Sequence, residues 1–258
     1  MFAEHFAFQT PSLVNFVGGG GKTGLILTLL DECQLSGAVI YTTTTRIHPP
    51  HPRDGMIIVS SNNLPLLREI VQRVGRFCSR HACKLVATGP SMGPRFLQGV
   101  EPGFARSLDA ELFPFVFNEA DGARSMSLKM PRSNEPVLME GAGYLVPVIG
   151  LDCLLKPLGP ETLFRWEIAA RHFSPAAGHP ITPKLAAEIL MHRQGVCRDW
   201  KPEMQIIPYI NKVDGPGLEP LAGELALELL HNPCFPVNRV VWGSLQNGRV
   251  NSVATLRQ

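Results

Sequence analysis

No apolar run in this sequence is long enough to cross a bilayer. The longest, GYLVPVIGLDCLL (143–155), is broken by Pro147 and Asp152 and falls short of the roughly 20 residues a span needs. No membrane partner is therefore expected. Net charge is also scarce, at +2, too near neutral to attract nucleic acid by bulk electrostatics. The six cysteines (Cys33, Cys78, Cys83, Cys153, Cys197 and Cys234) are scattered, which argues against a disulfide framework and for reduced thiols. The opening MFAEHFAFQTPS has neither the basic nor the apolar region of a secretory signal. Internal repeats, low-complexity tracts and a clean linker are missing as well. A cytoplasmic chain is expected. What the sequence has in quantity is apolar residues, 45% of 258, enough for a sizeable core and against global disorder.

The apolar runs alternate in period. LVNFV (13–17) reads as a strand, KTGLILTLLDEC (22–33) as a helix and GAVIYTTTT (37–45) as a second strand. Strand, glycine loop, helix, strand is the βαβ unit of a parallel sheet. The proline-rich RIHPPHPRDG (46–55) reads as a loop. Further strands are expected at 56–60, 83–89, 113–121, 204–211 and 238–244, with helices at 63–82, 105–113, 182–193 and 218–231. The expected fold is α/β: one P-loop NTPase-like domain over 1–258, with a mostly parallel, doubly wound sheet and an irregular insert at about 122–203.

The stretch NFVGGGGKTGL (15–25) carries the first chemistry. Backbone N–H groups at a helix N-terminus make an anion site, and glycine lets the backbone approach closely. Gly18, Gly19, Gly20 and Gly21 would cradle phosphates, Lys22 would neutralise β and γ oxygens, and the Thr23 hydroxyl would hold Mg²⁺. The usual longer loop needs a glycine where Phe16 stands. The shorter G-x-x-G-K-T is the loop of the Mur ligases, which bind ATP, so the loop alone does not name the base. The plainer reading is a glycine turn that links strand to helix.

Two other strand ends add to it. In IIPYINKVDG (206–215), directly after an apolar strand, Asn211, Lys212 and Asp214 match N-K-x-D and resemble the guanine-reading motif of GTPases. A carboxylate at Asp214 accepts from both donors on the guanine edge, which adenine lacks. Asn211 would hold the loop, the Lys212 stem would cover the base, and Ser244 would meet guanine O6. The alternative is an ordinary Asn/Asp turn. In FVFNEADGAR, either Asp121 is the acid at the strand end, which would bind Mg²⁺ through water and complete the site with Thr23, or Glu119 to Gly122 matches E-x-x-G. In the second version Glu119 is near the metal, the Gly122 amide reads the γ-phosphate and Asp121 orients water; otherwise the carboxylate caps a turn. Lys22 and Asp121 are the candidate catalytic residues.

FVGGGGKT (16–23), YTTTTRIHPP (41–50), NEADGARSMSLKMPRSNEPVL (118–138), GLDCLLKPL (150–158), ITPKLAAEIL (181–190) and INKVD (210–214) together resemble the YqeC family. That family is described as accessory to selenium-dependent molybdenum hydroxylases. The resemblance implies a nucleotide-dependent helper in maturing such an enzyme or its cofactor. GTP hydrolysis is favoured over ATP, with a molybdenum hydroxylase apo-enzyme or its cofactor as partner and a homodimer by analogy with metallochaperone GTPases. Two rivals stand beside it: an ATP-dependent transferase or ligase acting on a small anion, and a non-hydrolysing cofactor-delivery module. Gly24 departs from the second threonine that many members place after the loop.

Candidate substrate contacts are Thr44, Thr45, Arg46, Arg124, Lys129 and Arg132, with Glu135, Asp152, Lys156, Arg165 and Glu167 in the same polar blocks. The basic residues could stabilise transferring charge or bind an anionic partner such as a pterin phosphate; individually they read as surface ion pairs. The threonines could form a switch or simply end a strand. Cys78, His81 and Cys83 lack the second ligand pair a metal site wants and read as buried thiols, and His48 with His51 is too thin a pair for a site.

Overall fold

The computed structural model describes residues 1–34, 37–51, 55–81, 83–215 and 217–254. Part of the proline-rich 46–55 loop and the end of the 63–82 helix fall outside them. The helices are α1 (Phe2–Phe6), α2 (Lys22–Cys33), α3 (Leu64–His81), α4 (Trp166–Phe173), α5 (Pro183–Leu190) and α6 (Glu219–Leu230). The strands are β1 (Ser12–Gly18), β2 (Val39–Thr43), β3 (Met56–Ser60), β4 (Lys84–Thr88), β5 (Phe115–Glu119) and β6 (Leu128–Lys129), followed by β7 (Tyr144–Gly150), β8 (Leu163–Phe164), β9 (Gln205–Ile206), β10 (Tyr209–Asn211), β11 (Arg239–Ser244) and β12 (Arg249–Ala254). The chain divides into two compact units: Met1–Phe16, Thr23–Gly122 and Val137–Tyr144 form the first, and Val17–Lys22, Ala123–Pro136 and Leu145–Gln258 the second.

In the first unit the strands run in the order β1, β5, β2, β4, β3, all parallel. β2, β4 and β5 are buried along their whole length. Strands covered on both faces carry continuous apolar stretches rather than alternation, here VIY, LVA and FVF, with polar residues at the strand ends. α3 buries Leu67, Val71, Gly75 and Cys78, one helical face, on a core with Ile40, Leu85, Phe113 and Met139. Full burial of each such aliphatic chain contributes about 1.5–3 kcal/mol. The helix expected at 105–113 reduces to one 3-10 turn, Phe104–Ser107. Asp109 supplies the reason: its carboxylate accepts from the amides of Glu111 and Leu112, an Asx turn that competes with helix.

In the second unit the order is β12, β11, β10, β7; β7, β10 and β11 are parallel, β12 is antiparallel to β11, and β9 pairs with β7. The stretch expected as one strand at 204–211 is two, β9 and β10, with Pro208 between them. Proline cannot donate to the ladder, but its carbonyl accepts from Val241 at 3.0 Å. Within 122–203 the ordered elements β6, β7, β8, α4 and α5 alternate with turns. α5 starts at a Thr182 cap whose hydroxyl accepts from the Leu185 amide, with Pro183 at the first helical position.

Candidate functional site

The glycine loop leaves β1 at Gly18 and enters α2 at Lys22. Gly18 and Gly20 adopt φ of +94° and +78°, backbone that L side chains rarely take. A Cβ on Gly18 would meet the Val148 carbonyl at 2.5 Å, one on Gly19 the Met126 carbonyl at 2.4 Å, and one on Gly20 the Gly150 amide at 2.2 Å. The glycines therefore serve close packing on β7 and on residues 126–127. The Gly19 and Gly20 amides donate to the carbonyls of Val148 and Met126, each at 2.9 Å. That commits two loop donors to main chain. Lys22 is buried, and its ammonium donates to the Gly18 carbonyl at 2.5 Å.

The N-K-x-D segment belongs to the same unit as the loop. The Asn211 side-chain amide donates to the Gly20 carbonyl at 2.7 Å, while its oxygen accepts from the Tyr209 hydroxyl at 3.2 Å. Burial, and then the charge of Asp214, push the Tyr209 phenol up, so it stays a donor. Ser244, at the end of β11, donates through its hydroxyl to Asp214 Oδ1 at 2.6 Å. Its side chain is thereby engaged with that carboxylate. Asp214 is exposed. The Lys212 ammonium donates to Ser127 Oγ at 2.7 Å and Asp152 Oδ2 at 3.0 Å.

The acidic strand end belongs to the first unit. β5 closes on Glu119, whose Oε2 accepts from the Thr23 hydroxyl and from the Tyr41 hydroxyl, both at 2.8 Å. Thr43 donates to the Glu119 carbonyl at 2.7 Å. Burial first, then the Glu119 charge, raise the Tyr41 phenol well above its ordinary value. Of the two alignments, the hydrogen bonding puts Glu119, rather than Asp121, on Thr23. Asp121 is fully buried just beyond the strand, and Gly122 is half-buried. Hydroxyl and carboxylate oxygen are the hard donors that Mg²⁺ takes, and two neighbouring ligands of an octahedral Mg²⁺ lie ~2.9 Å apart. The Thr23–Glu119 separation fits such a pair.

The remaining candidates divide between the units. In the first, Thr44 donates to the Val137 carbonyl, Thr45 donates its amide to the Thr43 hydroxyl at 3.1 Å, and the Arg46 guanidinium lies 4.6 Å from the Phe96 ring centre. In the second, Arg124 and Arg165 lie 5.6 and 4.7 Å from the Phe164 ring centre, and Arg132 is exposed. Lys129 is not a surface ion pair: its side chain is 0% exposed and donates to Glu135 at 3.1 Å, while Arg165 forks onto the same carboxylate at 2.5 and 2.8 Å. Burial pushes the Glu135 carboxyl up, but hydrogen bonds from Arg165 and the Lys129 charge more than offset this and hold it at about 2. Tyr41 and Ser127 escaped the sequence reading. Tyr41 is two residues before Thr43, on the same face of β2, which is a period-2 signal; Ser127 carries no sequence signal.

No group of three or more His, Cys, Asp or Glu side chains suited to a metal is found among the described residues, and the six cysteines are free. No helix among the described residues is long and apolar enough to cross a membrane.

Parallel strands flanked by helices, with a glycine loop between the first long strand and its helix, define a mostly parallel α/β protein consistent with the P-loop NTPase-like class. A family model described as YqeC protein matches residues 14–167, and the chain belongs to the YqeC family. It is 25% identical over 218 residues to the uncharacterized protein YqeC of Escherichia coli (strain K12), covering 80% of this chain and 78% of that protein. No solved structure matches.

Proposed function

We propose that this chain binds a nucleoside triphosphate with Mg²⁺, prefers GTP to ATP, and hydrolyses it slowly while assisting the maturation of a selenium-dependent molybdenum hydroxylase or its cofactor. The observation that carries the reading is the 2.7 Å bond from Asn211 to Gly20. It ties an N-K-x-D segment to a glycine loop in the way a single ligand would need, with phosphate at one end and base at the other. The Ser244–Asp214 bond supports a preset acceptor for the guanine edge.

In this reading the first-turn amides of α2 and the Lys22 ammonium take the phosphates, Lys22 exchanging the Gly18 carbonyl for phosphate oxygens. Thr23 and Glu119 hold Mg²⁺, which would screen the charge of the phosphate oxygens. Asp121 orients the attacking water. The accessory role rests on family membership. The compressed loop favours a second reading, an ATP-dependent transferase or ligase, in which turnover rises on adding a small anionic substrate.

A thermal-shift panel of GTP, GDP, ATP and ADP, each with and without Mg²⁺, tests the proposal, because a ligand that binds the folded state raises the midpoint. The largest rise is expected with GTP and Mg²⁺, and no rise with Lys22→Ala. A flat panel for the unaltered chain overturns nucleotide binding; a larger rise with ATP overturns the guanine preference.

A further inference from the structure

Three loops that leave the ends of parallel strands converge on one residue, Ser127. From the β1 loop, the Gly20 amide donates to the neighbouring Met126 carbonyl at 2.9 Å; from β7, the Gly150 amide donates to the Ser127 carbonyl at 3.1 Å. Beyond β7, Asp152 Oδ1 accepts from the Ser127 hydroxyl at 2.5 Å. Beyond β10, the Lys212 ammonium donates to that hydroxyl at 2.7 Å and to Asp152 Oδ2 at 3.0 Å. The parallel register pairs Asn211 with Gly150, so Lys212 and Asp152 emerge side by side. A Cβ on Gly150 would meet Ser127 Oγ at 2.4 Å and Asp152 Oδ1 at 2.6 Å, so the glycine leaves room for this arrangement. All of these residues lie in the second unit.

We propose that Ser127 and Asp152 are positioning residues for nucleotide recognition, which act by holding the Lys212 side chain at the base-reading corner. The segment that carries Ser127 thereby links that corner to the phosphate loop. The inference rests on the nucleotide reading above and deepens it.

Two features separate this from an ordinary surface contact. Lys212 has φ +65°, a left-handed backbone that costs a lysine energy and persists only where the surroundings impose it. The Lys212–Asp152 pair is also 32% and 44% exposed, and pairs of that kind add little to folding. Its effect is to fix where one flexible side chain points. Burial raises the Asp152 carboxyl, but the hydrogen bonds from Ser127 and Lys212 and the charges of Lys212 and Lys156 more than offset this and lower it, so the acceptor stays ionised. Ser127 lies five residues beyond Gly122, and the intervening Arg124 and Ser125 have φ of +46° and +62°. The strand end expected to sense the γ-phosphate therefore continues directly into the residue that holds Lys212.

The test is a double-mutant cycle read by calorimetry with GTP and Mg²⁺ on the full chain: unaltered protein, Asp152→Asn, Lys212→Met and the double variant. Asp152→Asn is expected to weaken GTP about tenfold, as a coupled contact pair would, and to add nothing in the Lys212→Met background. Ser127→Ala should behave the same way in its own cycle with Lys212→Met, so either acceptor reports if the other variant folds poorly. Additive losses, or no loss from either acceptor variant, overturn the positioning role alone. An unaltered chain that binds no nucleotide overturns the nucleotide reading, and this inference with it.

Discussion

The Asn211 side-chain amide donates to the Gly20 carbonyl at 2.7 Å, across 191 residues of sequence. Both groups are buried, so removing the donor leaves a desolvated carbonyl at a cost of about 1–3 kcal/mol. Asn211→Ala is expected to lower the urea-unfolding free energy by that amount and to weaken GTP binding. Unchanged stability would show that the bond does not brace the loop.

Asp214 presents one carboxylate oxygen beyond the bond it accepts from Ser244. Asp214→Asn turns half of that acceptor into a donor, which clashes with the guanine N–H edge and suits xanthine. A charge-assisted pair is worth about 1.5–3 kcal/mol, so GTP affinity should fall about 10–150-fold, with xanthosine triphosphate now the tighter ligand by calorimetry. An equal response to every base would sink the guanine preference.

Thr23 and Tyr41 share Glu119 Oε2 as acceptor. Glu119→Gln keeps the shape and removes the charge that a divalent cation needs. The expected outcome is nucleotide affinity that no longer changes on adding Mg²⁺, and phosphate release reduced about a hundredfold or more. The same Mg²⁺ response as the unaltered chain would move the metal role to Asp121.

Glu135 stands at about 2, below its ordinary value of 4.5. A depressed carboxyl binds fewer protons folded than unfolded, so its contribution to stability is complete above about 4.5 and is lost as pH falls from there toward 2. Urea unfolding between pH 6 and 3 should therefore show a steeper decline for the unaltered chain than for Glu135→Gln. At pH 7 that variant should also be less stable by about 3 kcal/mol, because Lys129 and Arg165 lose the carboxylate they share while remaining buried.

Much of this architecture was legible in the residues, and the reasons differ by element. α2 and β3 have the bounds their periodicity implied, because long apolar spacing and flanking turn residues agree there. β12 was not foreseen: RVNSVA has mixed polarity and is specified by pairing with β11 rather than by its own pattern. At the loop, the glycines pointed to close approach, but a sequence does not say to what, and several face backbone of β7. The N-K-x-D pattern singled out Asn211, but its bond to Gly20 is a tertiary fact that no residue pattern states. The Lys129–Glu135–Arg165 cluster was misread as surface because charged residues are rarely buried unless paired, and pairing is a tertiary fact.

The antiparallel return of β12 along β11 pairs Ser244 with Arg249 across a short turn, and in that turn Asn247 donates its amide to the Ser244 hydroxyl and its side chain to the Asp214 carbonyl. The β11–β12 return is thus a buttress for the corner thirty residues earlier. Trimming the C-terminus back to Ser244 would remove that buttress, and an affinity tag is better attached after the final strand than in place of it.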